Sequence, residues 1–133
     1  MTFDIEKLID NALAAKANAY APYSKFKVGA AILLKNGKYI LGCNIENKSY
    51  SMTMCAERCA LFKLISEGYT RDDVVAICVV ANSDNPVTPC GACREVMDEL
   101  LYPDTPVILS NNNRDRIVTT VKELLPLSFK LER

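Results

Sequence analysis

Two short segments contain residue types whose spacing is typical of a catalytic zinc centre. The first is Cys55-Ala56-Glu57-Arg58 and the second is Pro89-Cys90-Gly91-Ala92-Cys93. Three thiolates can occupy three tetrahedral positions around zinc, which leaves the fourth open to a water molecule. Zinc lowers the pKa of a bound water towards neutrality, and a neighbouring carboxylate can then take up its proton and pass it on. The segments therefore predict zinc held by three cysteines, with Glu57 as the proton carrier.

Two helix N-termini are expected to bring these side chains together. Cys55 and Glu57 project to different sides of a predicted helix, but helical side chains tilt towards the N-terminus, so both can reach a point just beyond it. Cys90 and Cys93 are three residues apart at the start of another predicted helix and share one face. The positive ends of both helices would offset part of the thiolate charge, and Arg58 could donate to a thiolate sulfur.

The cysteines also have other interpretations. A C-x-x-C pair occurs in redox proteins and structural zinc sites, and an isolated Cys55 would by default be a buried thiol. Cys43, Cys59 and Cys78 fit the core-thiol interpretation, and Cys43 is the expected fourth ligand if the zinc site is closed. The combination with Glu57 favours catalysis, because it matches the zinc-deaminase signature of Cys or His, then Glu two positions on, and later Pro-Cys-x-x-Cys. Apolar neighbours on its helix face predict that Glu57 is partly desolvated, with a raised pKa.

Composition and charge narrow the possible functions. The chain has 133 residues, 50% of them hydrophobic and 24% charged, which predicts one globular domain over residues 1–133. The formal net charge is zero, which argues against a nucleic-acid partner. Histidine is absent, so Ser-His and Cys-His mechanisms are excluded. An acidic N-terminal segment and the lack of a long apolar run predict a soluble cytoplasmic protein with free thiols and no membrane partner.

The first third of the chain predicts a helix followed by a hairpin. Apolar residues recur at helical spacing over about residues 4–19, and Pro22 is expected to end this helix. The run from Val28 to Leu34 is continuously apolar, which predicts a strand without a solvent-exposed face. Asn36-Gly37 indicates a type I′ turn leading to an antiparallel strand over 39–43.

The remainder of the chain alternates helices and strands. Residues 55–67 predict a mostly buried helix, residues 74–81 a strand covered on both faces, and residues 90–101 a third helix. Short strands are predicted over residues 107–109 and 117–119, and a final helical turn over residues 121–125. This order predicts an α/β protein, a three-layer α/β/α sandwich with a mixed, mainly five-stranded sheet.

Five segments carry a resemblance to a known family over nearly the whole chain. They are Ala21 to Ala31, Cys43 to Asn47, Cys55 to Arg58, Pro89 to Arg94 and Glu123 to Pro126. Through them the chain resembles the small homotetrameric, zinc-dependent cytidine deaminases of the three-cysteine type. The resemblance implies a cytidine deaminase-like fold, one Zn²⁺ per subunit, and hydrolytic deamination of cytidine and 2′-deoxycytidine with release of ammonia in pyrimidine salvage.

The resemblance also implies which residues contact the substrate. It assigns zinc binding to Cys55, Cys90 and Cys93 and proton transfer to Glu57, the same four residues that the two motifs indicate. Residues matching Asn44 and Glu46 hold the ribose 3′-hydroxyl, the residue matching Phe26 packs on the pyrimidine, and Ala56 is also expected in the substrate site. Amide and carboxylate groups suit a sugar hydroxyl, and an aromatic face suits a flat base. Considered alone, Phe26 could instead be a core residue, and Asn44 and Glu46 a solvated turn.

The family's active sites are completed by neighbouring subunits, which implies a homotetramer here. Tyr50 and Phe129 match the residues concerned. The chain departs from the family at Lys48-Ser49, where small apolar residues are usual, at Cys59, where Thr is usual, and at Glu95, where Gln is common. Since Lys48-Ser49 belongs to the loop expected to approach the ribose across the interface, affinity or substrate choice is expected to differ.

Two alternative functions remain open. One is deamination of another aminopyrimidine nucleoside, such as a nucleoside antibiotic. The other is a non-catalytic domain in which zinc only stabilises the fold. A carboxylate beside an open coordination position argues against the structural alternative, and the neutral charge disfavours a deaminase of RNA or DNA.

Overall fold

The computed structural model describes residues 2–131, in which five strands form one sheet. The strands are β1 (Val28–Leu34), β2 (Tyr39–Cys43), β3 (Val74–Ala81), β4 (Pro106–Asn111) and β5 (Arg116–Thr120). Their order in the sheet is β2-β1-β3-β4-β5. Strands β3 and β4 are parallel and the other neighbours are antiparallel. The predicted mixed five-stranded sheet is confirmed.

Helices cover both faces of this sheet. They are α1 (Ile5–Lys16), α2 (Ala56–Ser66), α3 (Gly91–Leu100) and α4 (Val121–Leu124). Helix α1 packs on one face, and α2, α3 and α4 pack on the other, which confirms the three-layer arrangement. None of the helices within residues 2–131 combines the length and the apolar character that crossing a membrane requires.

Burial on both faces explains why β1 is continuously apolar. Ala30 and Ile32 point to the α2 side, whereas Ala31 and Leu33 point to the α1 side. Alternate residues of a strand face opposite ways, so a strand between two helical layers has no position for a solvated side chain. Cys78 lies in the core on the α1 side as expected, and burial raises the pKa of its thiol to about 12.

Two glycines allow helices to pack directly on the strand backbone. A Cβ atom at Gly29 would lie 2.2 Å from the carbonyl oxygen of Ala12 in α1. One at Gly42 would lie 2.5 Å from the amide nitrogen of Ala60 in α2. Such distances are far inside van der Waals contact, so β2 and α2 can approach this closely only because residue 42 lacks a side chain.

The hairpin between β1 and β2 corrects the predicted turn type. A type I′ turn needs positive φ at both central residues, yet Gly37 has φ 87° while Asn36 is not in the positive-φ region. The amide of Gly37 donates to the carbonyl of Leu34 at 2.9 Å, and the Leu34 amide donates to Lys38 at 2.9 Å. The turn is therefore a three-residue loop with glycine in the left-handed position. The Asn36 side chain accepts from the Lys38 amide at 2.9 Å and holds its own residue in this geometry.

The end of α1 also differs from the prediction. Asp4 caps the start by accepting from the Lys7 amide at 3.1 Å, but the helix ends at Lys16, well before Pro22. The backbone at Tyr20 instead pairs with the chain beyond β2. Its amide donates to the carbonyl of Asn44 at 2.9 Å. This long-range pairing draws the chain out of the helix and fixes the Asn44 segment beside it.

Candidate active site

The three cysteines of the two motifs meet at the N-termini of α2 and α3. Their sulfur atoms all lie within 4.8 Å of one another, and those of Cys90 and Cys93 are 3.5 Å apart. Cys55 is the N-cap residue of α2 and Cys90 that of α3, while Cys93 lies in the first turn of α3. All six cysteines fall within residues 2–131, and no other cysteine joins this group.

The cluster fits a zinc ion. Zinc–sulfur bonds of about 2.3 Å in a tetrahedron separate the ligand sulfurs by about 3.8 Å, so the thiols need only small adjustments. A hydrogen bond from Cys93 and the nearby Arg58 lower the pKa of Cys55, whereas that same hydrogen bond, burial and the neighbouring negative groups raise the pKa of Cys93. The two thiols therefore have pKa values shifted in opposite directions. A bound divalent cation would favour the thiolate form of all three cysteines.

Positive groups surround the cysteines. The Nη2 atom of Arg58 donates to the sulfur of Cys55 at 3.4 Å. The N-termini of α2 and α3 also point their unpaired amides and positive dipole ends towards the cluster. The sequence predicted both the Arg58 donor and the two helix N-termini. Together they offset part of the negative charge of three thiolates.

Glu57 provides a buried carboxyl group beside the cluster. Only 5% of the residue is exposed, and Glu57 lines the same cavity as Cys55 and Cys90. Burial raises the pKa of Glu57, and the charge of Cys55 adds to this effect, while a backbone amide opposes it. The desolvated environment predicted from the apolar helix face is present.

The cavity next to the cluster has a volume of about 280 Å³. It lies where the start of β1 and the ends of β2 and β3 meet the N-termini of α2 and α3. Eight of the lining residues were predicted as site residues from the sequence, namely Phe26, Asn44, Glu46, Tyr50, Cys55, Ala56, Glu57 and Cys90. Seven others were not singled out, namely Ser24, Val28, Thr53, Met54, Val79, Val87 and Thr88.

Some of the missed residues had a signal in the sequence. Thr53-Met54 immediately precedes Cys55, and Val87-Thr88 immediately precedes the Pro89 motif, so the motifs themselves bring them to the site. Val79 reaches the cavity through the pairing of β3 with β1. That pairing is a property of the whole sheet, and no local pattern indicates it.

Asn44 is held firmly against the segment that carries Phe26. Its Oδ1 accepts from the Val28 amide at 2.9 Å, and its Nδ2 donates to the Phe26 carbonyl at 2.7 Å. Asn44 is 8% exposed, which excludes the solvated-turn interpretation. Phe26 is 39% exposed and borders the cavity, so it is not a core residue.

Glu46 is fixed by three donors from the same segment. Its Oε1 accepts from the amides of Tyr23 at 3.0 Å and Ser24 at 3.2 Å, and its other oxygen accepts from the Ser24 hydroxyl. The hydrogen bond from the Ser24 side chain is the main reason why the pKa of Glu46 is lowered. With only 6% of the residue exposed, Glu46 is not part of a solvated turn either.

Phe129 does not reach the cavity of its own chain. It is 73% exposed and lies beside α3 near Glu95 and Asp98, where Lys130 pairs with Asp98 at 2.7 Å. Glu95 therefore faces the C-terminal segment and not the lining of the main cavity. Tyr50, which is 75% exposed, borders that cavity from the surface.

The closed four-cysteine site is not formed. Cys43 and Cys59 border a different cavity, together with Lys63, at the edge of the sheet. Cys43 is consequently not available as a fourth ligand to the cluster. Two of the three clustered cysteines, Cys55 and Cys90, border the cavity that also contains Glu57.

Comparisons with known proteins agree with this geometry. Residues 3–109 match the family model described as the cytidine and deoxycytidylate deaminase zinc-binding region. A cytidine deaminase of Halalkalibacterium halodurans is 57% identical over 97% of this chain and 96% of its own length. A blasticidin-S deaminase of Bacillus cereus is 36% identical over 80% of this chain and 79% of its own length.

A solved structure gives the same result. The crystal structure of cytidine deaminase from Burkholderia pseudomallei superposes with a TM-score of 0.92 at 48% identity, over 96% of this chain and all of that one. The shared fold, the zinc-binding region and the cysteine cluster lead to one conclusion: this chain belongs to the cytidine and deoxycytidylate deaminase family.

Proposed function

We propose that this protein hydrolyses cytidine and 2′-deoxycytidine to the corresponding uridines and ammonia, with one zinc ion per subunit. The observation that carries the proposal is that a three-cysteine cluster and the buried carboxyl group of Glu57 share one cavity with Phe26, Asn44 and Glu46. A metal cluster alone would suit a structural zinc site. The adjacent cavity and carboxyl group give it a catalytic use.

Cys55, Cys90 and Cys93 would hold the zinc ion in this proposal. When bound, zinc supplies Lewis acidity that lowers the pKa of a water molecule. Arg58 donates to Cys55 and thereby keeps that sulfur oriented and partly neutralised.

Glu57 carries the protons of the reaction. It takes a proton from the attacking water and delivers it to N3 of the pyrimidine as the C4–O bond forms. It then takes the proton of the new C4 hydroxyl and gives it to the amino group, so that the C4–N bond breaks, ammonia leaves and a C4 carbonyl remains. Glu57 lines the cavity and only 5% of the residue is exposed, so it can exchange protons with a bound substrate while bulk water has little access.

The substrate contacts divide between base and sugar. Phe26 offers an aromatic face to the pyrimidine, and Ala56, at the start of α2, borders the same space. Asn44 and Glu46 offer polar groups to the ribose 3′-hydroxyl. Both are fixed by hydrogen bonds to the chain around Phe26, so base and sugar contacts are held in one frame.

The proposal includes a homotetramer with active sites completed by neighbouring subunits through Tyr50 and Phe129. Support comes from the exposed aromatic and aliphatic side chains on α2 and the C-terminal segment, since large apolar patches favour association. These side chains include Phe62, Ile65, Leu127 and Phe129. The proposal further includes a single domain, a cytoplasmic role in pyrimidine salvage, and no nucleic-acid or membrane partner.

A second candidate is deamination of another aminopyrimidine nucleoside, which the similarity to the Bacillus cereus blasticidin-S deaminase favours. Incubating the zinc-loaded protein with cytidine, 2′-deoxycytidine, cytosine and blasticidin S, and following the ultraviolet spectrum of each, separates the two. If the proposal is right, the spectra of cytidine and 2′-deoxycytidine will change to those of uridine and 2′-deoxyuridine. Turnover of blasticidin S with no turnover of cytidine would replace it with the second candidate.

A further inference from the structure

The hydroxyl group of Ser24 links the two parts of the candidate substrate site. It donates to the carboxylate of Glu46, and its oxygen accepts from the amide of Phe26 at 3.0 Å. Ser24 itself borders the cavity. One hydroxyl therefore connects the group proposed for the sugar with the backbone of the residue proposed for the base.

The backbone around Ser24 is held independently of this hydroxyl. Lys25 has φ 61°, an unfavourable conformation for a residue with a Cβ atom. Its amide donates to Ala21 at 3.0 Å, and Asn82 accepts from Lys27 at 2.9 Å and donates to the Lys25 carbonyl at 3.3 Å. The loop therefore keeps several anchors when the hydroxyl is removed.

The Ser24 hydroxyl has a more direct effect on Glu46. One carboxylate oxygen of Glu46 accepts from two backbone amides, whereas the hydroxyl holds the other. Without the hydroxyl, the second oxygen loses the Ser24 donor and the carboxylate can rotate about its two backbone hydrogen bonds. The Phe26 amide, which also loses its acceptor, can donate to water instead, because Phe26 is partly exposed.

We propose that Ser24 is a positioning residue, which sets the orientation of the Glu46 carboxylate towards the 3′-hydroxyl of the bound nucleoside. The inference rests on the proposed function, in which Glu46 contacts that hydroxyl. A hydrogen bond to a charged group typically changes an equilibrium by about tenfold or more when it is lost. Ser24→Ala is therefore expected to raise the KM for cytidine about tenfold, with kcat changed less than about twofold.

A second substrate distinguishes positioning from a general structural role. For 3′-deoxycytidine, which lacks the hydroxyl in question, Ser24→Ala should change kcat/KM less than about twofold. The preference of the enzyme for cytidine over 3′-deoxycytidine therefore falls about tenfold in the variant. Ser24→Thr, which keeps a hydroxyl, should retain the wild-type preference. Ser66→Ala, which removes a hydroxyl that donates to Lys63 at the far end of α2, serves as the matched control.

The outcomes separate the inference from the proposed function. If wild-type protein does not deaminate cytidine, the proposed function fails and the role of Ser24 falls with it. If the wild type is active, two results would overturn only the positioning role. One is an equal loss of activity of Ser24→Ala on cytidine and on 3′-deoxycytidine, and the other is no loss on either substrate. Should Ser24→Ala not fold, Ser24→Cys replaces it, because a thiol of similar size is a weak donor. Cys is expected to lower the preference and Thr to keep it, and equal preferences in the two would overturn the inference.

Discussion

The guanidinium group of Arg58 donates to the sulfur atom of Cys55 at 3.4 Å. A donor of this kind orients a metal-binding thiolate and disperses its charge, and removing it typically weakens metal binding by about 10- to 100-fold. We expect Arg58→Ala to bind zinc at least about tenfold more weakly than the wild type. Competition for zinc with a chromogenic chelator measures this directly.

A matched arginine gives the control for this experiment. The guanidinium of Arg71 lies 4.6 Å from the ring centre of Tyr102, away from the cysteine cluster. Arg71→Ala should keep the wild-type zinc affinity. Equal affinities in both variants would show that the Arg58 contact does not contribute to metal binding.

The packing of β2 on α2 makes Gly42 sensitive to any added side chain. A Cβ atom there would lie 2.5 Å from the Ala60 amide and 2.7 Å from the Ala56 carbonyl, both backbone atoms that cannot move alone. Gly42→Ala must shift the whole of helix α2, whose N-cap is Cys55. We expect a loss of about 3 kcal/mol in the free energy of unfolding, measured by urea denaturation of the zinc-loaded protein.

Gly91 offers the same substitution without a clash. Nothing lies within 4 Å of a Cβ atom at this position in the first turn of α3. Because alanine is a better helix former than glycine, Gly91→Ala should leave the free energy of unfolding unchanged or slightly higher. A similar loss in both variants would contradict the close-packing argument.

The sequence predicted the metal cluster well because its determinants are local. Cys55, Cys90 and Cys93 stand at helix N-termini, and helix starts have recognisable signals a few residues long. The bounds of β1 and β3 were likewise predicted, since continuous apolar runs identify strands buried on both faces. The bounds of β2 followed from the hairpin signal at Asn36-Gly37, and its residues alternate between buried and half-buried.

Long-range contacts account for what the sequence did not predict. Helix α1 ends at Lys16 because the Tyr20 backbone pairs with the segment around Asn44, and nothing near Tyr20 encodes that pairing. Ser24 reaches Glu46 across 22 positions of sequence for the same reason. The turn at Asn36-Gly37 differs because strand register, together with the Asn36 side chain, selects among loops that the same dipeptide allows.

Ion pairs that join α1 to the β4–β5 turn and to the start of β5 should make stability depend on pH. Arg114 and Arg116 both pair with Glu6 and lower the pKa of its carboxyl, chiefly through the hydrogen bond from Arg116. A carboxylate with a lowered pKa in the folded state stabilises the fold above its unfolded pKa, and this contribution is lost as pH falls through the folded pKa. Glu6→Gln should therefore be less stable than the wild type at neutral pH.

Urea unfolding across a pH series measures the size of this effect. The difference between Glu6→Gln and the wild type should narrow as pH falls below about 4, and it should shrink in about 1 M salt. Glu67→Gln alters an exposed carboxylate at the C-cap of α2 and provides the control. A difference that stays constant over the whole pH range would contradict the assignment to Glu6 ionisation.

Mixing of two differently impaired variants tests whether neighbouring chains complete each active site. Phe129 lies outside the cavity of its own chain, so Phe129→Ala should impair only the site of a neighbour. We expect this variant to lose about tenfold in kcat/KM, as when an aromatic contact of about 1.4 kcal/mol is removed. Co-refolding it with Glu57→Gln subunits should restore activity above that of either variant alone.

The restoration has a simple origin. If the protein forms the proposed tetramer, some sites of a mixed assembly would combine an intact Glu57 from one chain with an intact Phe129 from another. Light scattering on the same samples gives the oligomeric state. A stable, fully active monomer, or a mixture no more active than the average of its parts, would contradict the shared active site.

The central claim is that Glu57 carries protons beside a zinc ion held by Cys55, Cys90 and Cys93. The most direct measurement is ammonia release from cytidine by the wild type and by Glu57→Gln, with the zinc content of both determined on the same samples. We predict full zinc occupancy in both and turnover in the wild type, with the variant slower by about a thousandfold or more. A zinc-loaded Glu57→Gln protein that releases ammonia at the wild-type rate would contradict the account.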